Sequence, residues 1–133
     1  MIKCKRAYEP VGSDDGYRVL VDRLWPRNIR KGDLAIAEWL KHVAPSTELR
    51  QAFKSGELSF ERFRDEYTKE LARHPEHWWP LLDIAAKGSL TLIYAARDER
   101  QNNATVLAEW LEDALERRGE PSSPTCYAGE RMA

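Results

Sequence analysis

Residues 16–27, which read GYRVLVDRLWPR, contain a short apolar run that ends abruptly in charged residues. The Val-Leu-Val run at 19–21 has no polar face, which is typical of a strand covered on both sides in a parallel sheet. Asp22 and Arg23 follow directly. Because proline cannot donate to a sheet ladder, we expect the strand to stop by about Trp25. In open α/β sheets ligands bind at this carboxyl edge, so the charges indicate a candidate site.

A second stretch, residues 89–98 with the sequence SLTLIYAARD, repeats this arrangement. Its apolar run at 90–94 also predicts a buried strand, and it too ends in an arginine and an aspartate. We therefore predict that the two strands lie parallel and close together. Four charged side chains would then share one edge of the sheet: Asp22, Arg23, Arg97 and Asp98.

In the first two thirds of the chain, turn and capping residues indicate where the other predicted strands and helices begin and end. Residues 2–7 alternate weakly and predict a charged strand nearer a sheet edge. Asp33 is predicted to cap a short helix that ends at the Ala-Pro pair 44–45. Ser46 and Ser59 are predicted to cap two further helices, because a serine at this position accepts a hydrogen bond from a free helix amide.

The last third predicts a helix, a strand and a second helix. Residues 76–87 are predicted to be helical. The alternative is that the helix begins at Pro80, because proline suits the first turn of a helix. Asn102 or Asn103 is predicted to cap the final helix, whose paired apolar residues form the stripe of a helix packed on a sheet. The fold class is therefore α/β. We predict a small three-layer domain with a short, mainly parallel sheet and a long helical insertion between strands, at residues 33–87.

Length and charge predict one soluble domain. The chain has 133 residues and a net charge of −1, which argues against a general nucleic-acid or membrane-surface binder. We predict one α/β domain over 1–118 and a flexible C-terminal tail over 119–133. No stretch is apolar enough to span a membrane. Cys4 and Cys126 stand in no paired motif, which predicts reduced thiols in a cytoplasmic protein.

Several motifs resemble the YeaO-like family of small bacterial proteins, a domain of unknown function. They are VDRLWPR at 21–27, APS with LR at 44–50, FxxxYxxEL at 63–71, and LIYAARD followed by NNA at 102–104. The resemblance implies an α/β fold and a cytoplasmic bacterial protein, but it supplies no activity. Asn28 stands where the family pattern has glycine. Distant relatives carry cysteine and histidine near the loop 94–103, and this chain does not, so no thiol chemistry is implied.

Arginines dominate the candidate site. The guanidinium group binds carboxylate or phosphate through two parallel hydrogen bonds, and helix N-termini add amide donors. The predicted ligand-binding residues are Arg23, Arg27, Arg50, Arg97, Trp25, Asn102 and Asn103. The alternative is internal ion pairing of Asp22 with Arg97 and of Arg23 with Asp98. Both interpretations stay open at this point.

Three residues are candidates for catalysis, although no reaction is identified. Asp22 and Asp98 have the chemistry of a general base, but carboxylates beside arginines stay ionised and more often orient them. Ser46 has the chemistry of a nucleophile, but no histidine is placed to activate it, and a helix cap is the better interpretation.

No metal site or cofactor is predicted. His74 and His77 are three residues apart, but Pro75 lies between them and no third ligand is evident. The glycine-rich nucleotide-binding patterns are absent as well.

We expect a protein that binds a small anionic ligand, such as a phosphorylated metabolite or nucleotide, and that is either a binding protein or an enzyme of unknown reaction. Two alternatives remain. The first is a nucleic-acid-binding or regulatory module that uses the same basic patch, extended by Arg30, Lys31 and Arg100. The second is a protein-interaction module that uses the tryptophan-rich helices. The sequence leaves the oligomeric state open.

Overall fold

A computed structural model describes residues 1–119. Four parallel strands form one sheet, in the order β1, β4, β2, β3. The strands are β1 (Ile2–Arg6), β2 (Tyr17–Leu20), β3 (Glu38–Trp39) and β4 (Leu90–Tyr94). The helices are α1 (Thr47–Lys54), α2 (Phe60–Arg73), α3 (Pro75–Lys87) and α4 (Asn103–Gly119), and a short 3-10 helix spans Lys41–Val43. The α/β fold class is confirmed.

The two apolar strands of the sequence lie side by side in the sheet. β2 pairs in parallel with β4, with Val19 opposite Leu92 and Leu20 opposite Ile93. Every residue of β4 is buried, as expected for a strand covered on both faces. Since both strands run in the same direction, their charged ends emerge at one edge of the sheet.

The two faces of the sheet are covered differently. On one face Val19 and Leu92 pack into the main core, to which all four helices contribute buried residues. On the other face Leu20 and Ile93 form a smaller cluster with Leu34 and with side chains of the irregular segment that follows β2. The second covering layer is therefore built from loop rather than helix.

The helix predicted to begin at Asp33 is wrong. Glu38 and Trp39 instead form the edge strand β3 beside β2. The amide groups of Ala37 and Leu40 donate to the carbonyls of Arg18 and Leu20. These bonds satisfy the outer edge of β2, which would otherwise be left open. Tertiary pairing thus overrides an apolar spacing that resembles a helix.

The predicted caps of the later helices are confirmed. The hydroxyl groups of Ser46 and Ser59 accept hydrogen bonds from the third amide group of α1 and α2. Asn102 caps α4, where its side-chain oxygen accepts from the amide of Thr105 at 2.9 Å. α3 begins at Pro75, so the alternative start at Pro80 is wrong, and Pro80 lies inside the helix.

A buried polar network, unforeseen from the sequence, lies near the amino end of β2. The carboxylate of Asp15 is only 1 % exposed and accepts from the amide of Gly12 at 2.9 Å and the ammonium of Lys5 at 3.0 Å. Arg18 also donates to it. These donors, led by the Gly12 amide, hold the pKa of Asp15 below its ordinary value. The network ties the loop before β2 to β1.

The flexible tail predicted over 119–133 lies outside the described residues, apart from Gly119, which ends α4. Among the helices of residues 1–119, none is long and apolar enough to cross a membrane.

Candidate functional site

One cavity of about 850 Å³ opens at the carboxyl edge of β2 and β4. All seven predicted ligand-binding residues line it, as does Asp22. The seven are Arg23, Arg27, Arg50, Arg97, Trp25, Asn102 and Asn103. We call this space the strand-edge cavity. The positions of Arg23 and Arg97 follow directly from the pairing of their strands, whereas α1 brings Arg50 from the long insertion.

Asp22 connects the ends of both strands with the start of α4. One carboxylate oxygen accepts from the amide of Ala95 at 2.9 Å, and the other accepts from the side-chain amide of Asn103 at 3.0 Å. Burial raises the pKa of Asp22, while the hydrogen bonds and the nearby Arg50 oppose the increase. Both oxygens are therefore engaged in holding backbone and helix together.

Arg23 is partly structural. Its Nε donates to the carbonyl of Pro45 at 3.1 Å, and one Nη donates to the carbonyl of Ala44 at 3.3 Å. The side chain therefore joins the end of β2 to the turn before α1. It also lines both the strand-edge cavity and a smaller neighbouring cavity of about 260 Å³.

The alternative of ion pairs between the strand ends, Asp22 with Arg97 and Arg23 with Asp98, is contradicted by the structure. Within residues 1–119, no carboxylate oxygen of Asp22 or Asp98 lies within 4.0 Å of a guanidinium nitrogen. Asp98 instead accepts from the amides of Arg100 and Gln101 at 2.9 Å, and these bonds lower its pKa. A tight turn after β4 therefore satisfies this carboxylate locally.

Trp25 forms an apolar wall of the strand-edge cavity. Its indole N–H donates to the carbonyl of Ile29 at 2.6 Å, so the ring offers its surface and not its donor. The ring packs edge-on against Trp39, with centroids 5.2 Å apart. Asn28, in the turn between them, has a φ of 64°. After glycine, asparagine is the residue that best tolerates this left-handed conformation. The turn therefore forms although asparagine replaces the glycine of the family pattern.

The two asparagines hold the start of α4 against β2. Asn102 is buried, and its side-chain amide donates to the carbonyl of Asp98 at 2.8 Å. The side-chain amide of Asn103 donates to the carbonyl of Val21 at 3.0 Å as well as to Asp22. Both residues thus position the helix N-terminus at the cavity wall.

Two of the three catalytic candidates lie outside the strand-edge cavity. Asp98 is not part of its lining, and Ser46 lines the smaller cavity instead. The hydroxyl of Ser46 donates to Glu70 at 2.7 Å and accepts from the amide of Leu49 at 3.2 Å. Since both roles of this hydroxyl are occupied, the cap interpretation describes Ser46 better than a nucleophile does.

Sequence analysis missed several lining residues, among them Lys54 of α1 and the four that follow. Arg6 and Tyr8 come from the end of β1, and Phe53 and Phe63 come from α1 and α2. The signal for Arg6 was available, because a third parallel strand beside β4 must end at the same edge. The two phenylalanines stack with centroids 4.4 Å apart, a helix–helix contact for which the sequence contains no local signal.

Comparison with known proteins gives relatives but no activity. A family model described as the inactive DUF488-N3 subclade matches residues 1–128. The uncharacterised protein YeaO of Escherichia coli K12 is 54% identical over 110 residues, which cover 83% of this chain and 96% of the relative. An uncharacterised protein of Mycobacterium tuberculosis H37Rv is 37% identical over 110 residues, covering 83% and 92%. No solved structure matches the chain.

Proposed function

The chain belongs to the inactive DUF488-N3 subclade, a family of uncharacterised proteins that includes YeaO, and from this premise we propose that it binds a small anionic ligand in the strand-edge cavity. The ligand carries a phosphate or carboxylate group. The observation that carries the proposal is the charge of the lining. It combines one carboxylate with six cationic side chains, namely Arg6, Arg23, Arg27, Arg50, Lys54 and Arg97.

This excess of positive charge is local. The whole chain has a net charge of −1, with 21 basic and 22 acidic residues. In the part of the chain that the structure describes, none of the six cations forms an ion pair with a carboxylate. Clefts lined by one sign of charge concentrate ligands of the opposite sign. The cavity therefore favours an anion.

The size and walls of the cavity favour a ligand larger than inorganic phosphate. Small-molecule sites commonly have volumes of about 300–1,000 Å³, and this cavity, at about 850 Å³, falls in that range. Trp25, Phe53 and Phe63 add apolar and aromatic surface to the same lining. A phosphorylated metabolite or a nucleotide, with a charged group and a flat or apolar part, matches both kinds of wall.

Binding without turnover is the form of the proposal that the observations support best. A general base must accept a proton from the substrate. Both oxygens of Asp22 accept hydrogen bonds from the chain itself, at Ala95 and Asn103, so this carboxylate already has a structural role. The family description also calls the subclade inactive. We therefore propose a binding protein and not an enzyme.

Differential thermal melting in a ligand panel tests this proposal. The panel holds phosphate, sulfate, nucleotides, sugar phosphates, small carboxylates and short single-stranded DNA. A ligand at about 100 times its dissociation constant stabilises the folded state by roughly 2.7 kcal/mol. We expect one class of small anions to stabilise the native protein, and Arg97→Ala and Arg27→Ala to reduce that effect at least tenfold in affinity.

Arg62→Ala is the matched control, because Arg62 is exposed on α2 and lies outside the lining. A stabilisation that survives both cavity variants, or that Arg62→Ala removes equally, would contradict the proposal. Stabilisation by DNA alone, with a steep dependence on salt, would favour the nucleic-acid alternative instead.

A further inference from the structure

All three histidines of the chain come together at the junction of α2 and α3. The ring of His74 stacks on that of His77 with centroids 4.9 Å apart, and the ring of His42 lies 5.6 Å from that of His77. All three line the smaller cavity of about 260 Å³. Neutral imidazole is the commonest side-chain ligand of transition metals, so this grouping carries chemistry that the strand-edge cavity does not use.

A carboxylate completes the group. One oxygen of Glu76 lies 3.2 Å from Nδ1 of His74 and 3.7 Å from Nε2 of His77. The ligand atoms of these three residues all lie within 4.8 Å of one another. Two ligands of a tetrahedral zinc ion with bonds near 2.0–2.1 Å are about 3.4 Å apart. The ligand atoms are therefore close enough to meet one ion once the two imidazole rings, which are stacked at 16° to each other, rotate so that their planes converge on it.

From this geometry we propose that His74, Glu76 and His77 bind a divalent transition metal ion of the Zn²⁺ class. The donor set is two nitrogens and one oxygen, which suits zinc and its neighbours and not magnesium or calcium. A fourth position is left for water. Because His74 and His77 line the smaller cavity, an exchangeable ligand reaches the ion from there.

The backbone presets this arrangement. Pro75, which in the sequence separates the two histidines, occupies the first position of α3, where its fixed φ suits the helix. Glu76 and His77 follow in the first turn, while His74 is the shared cap residue between α2 and α3. The proline thus holds the three ligands at one helix end and does not disperse them.

A purely structural role explains the cluster less well. The side chains of His74, Glu76 and His77 are 53%, 64% and 31% exposed. Ion pairs at such exposure contribute little to stability. Stability alone therefore gives little reason to place two imidazoles around one carboxylate.

Calorimetric titration of the full, untagged chain with Zn²⁺ tests the proposal, with Co²⁺ as a spectroscopic probe. We expect one ion per chain, and we expect His74→Ala, His77→Ala and Glu76→Gln each to weaken binding at least tenfold. The cobalt complex should lack sulfur-to-metal charge-transfer absorption, because the ligands are nitrogen and oxygen. Circular dichroism of each metal-free variant checks that the fold is retained.

Glu61→Gln is the matched control, since Glu61 lies in the first turn of α2, about 20 Å along the helix from His74. It should bind Zn²⁺ like the native chain. Absence of Zn²⁺ binding, binding that persists in both histidine variants, or a thiolate signal in the cobalt spectrum would each overturn the assignment. None of these outcomes depends on the ligand of the strand-edge cavity.

Discussion

Replacement of Arg23 by alanine measures how much a cavity arginine that is hydrogen-bonded to the backbone contributes to stability. The Arg23 side chain donates to the carbonyls of Ala44 and Pro45, and both of these residues are buried. It therefore fastens the turn before α1 to the end of β2. In Arg23→Ala both carbonyls lose a charged donor, and only water from the adjoining cavities replaces it.

The size of the effect follows from these two contacts. Hydrogen bonds from charged donors stabilise a folded protein by about 1.5–3 kcal/mol each. At distances of 3.1 and 3.3 Å, and with water able to enter from both cavities, we expect Arg23→Ala to lose about 2 kcal/mol in total. For a domain of this length, 1 kcal/mol lowers the melting temperature by about 3–5 °C, so we expect a decrease of about 6–10 °C.

Equilibrium unfolding in urea, supported by thermal melting, measures this loss directly. Arg97→Ala is the comparison, because Arg97 is exposed at the same sheet edge, and exposed substitutions change the stability by less than about 0.5 kcal/mol. Arg23→Lys should lose less than Arg23→Ala, since an ammonium group retains one donor. If Arg23→Ala unfolds at the same urea concentration as Arg97→Ala, the reasoning is refuted, and the two hydrogen bonds contribute nothing to stability.

Two further predictions concern pH. Burial raises the pKa of Asp22 above its ordinary 3.8, so the folded protein binds this proton more tightly than the unfolded chain does. The free energy of unfolding therefore falls as the pH rises from 3.8 through the higher folded pKa. Asp22→Asn should flatten that fall in urea titrations at several pH values, and an unchanged profile would contradict the burial argument. The pH dependence of stability that comes from Asp15 has the opposite sign. Because Gly12, Lys5 and Arg18 lower its pKa, its contribution is present above 3.8 and is lost as the pH falls below that value. Asp15→Asn should therefore be less stable than the native chain near neutral pH, and the difference should shrink in acid; a difference that stays constant with pH would count against the network.

The part of the site that could be predicted from the sequence is the part made by strand ends. The runs at 19–21 and 90–94 predict buried strands, and parallel neighbours must end at one edge. That reasoning alone places Asp22, Arg23 and Arg97 together, as the structure confirms. The same reasoning fails to predict which groups the charged side chains contact. A carboxylate at a strand end has backbone amides within reach, and Asp22 and Asp98 both use them in preference to an arginine.

The parts that could not be predicted depend on packing between distant segments. Residues 33–40 have apolar side chains at helical spacing, but Glu38 and Trp39 pair with the open edge of β2 as a strand. His42 reaches His77 only because the short helix after β3 packs on α3, a contact across more than thirty residues of chain. Local sequence patterns carry no information about either event, since both are decided by which surfaces the finished core leaves uncovered.

The unpaired charges of the strand-edge cavity are themselves an argument for a ligand. Basic and acidic residues are almost equal in number along the chain, so pairing partners are not scarce. Within residues 1–119 the ion pairs lie elsewhere, for example between Arg118 and Asp83 or between Lys69 and Glu66. Six cations around one space repel one another and reduce stability. A fold departs from local consistency in this way mainly where function requires it, and an anion bound in the cavity, as proposed above, would remove the repulsion.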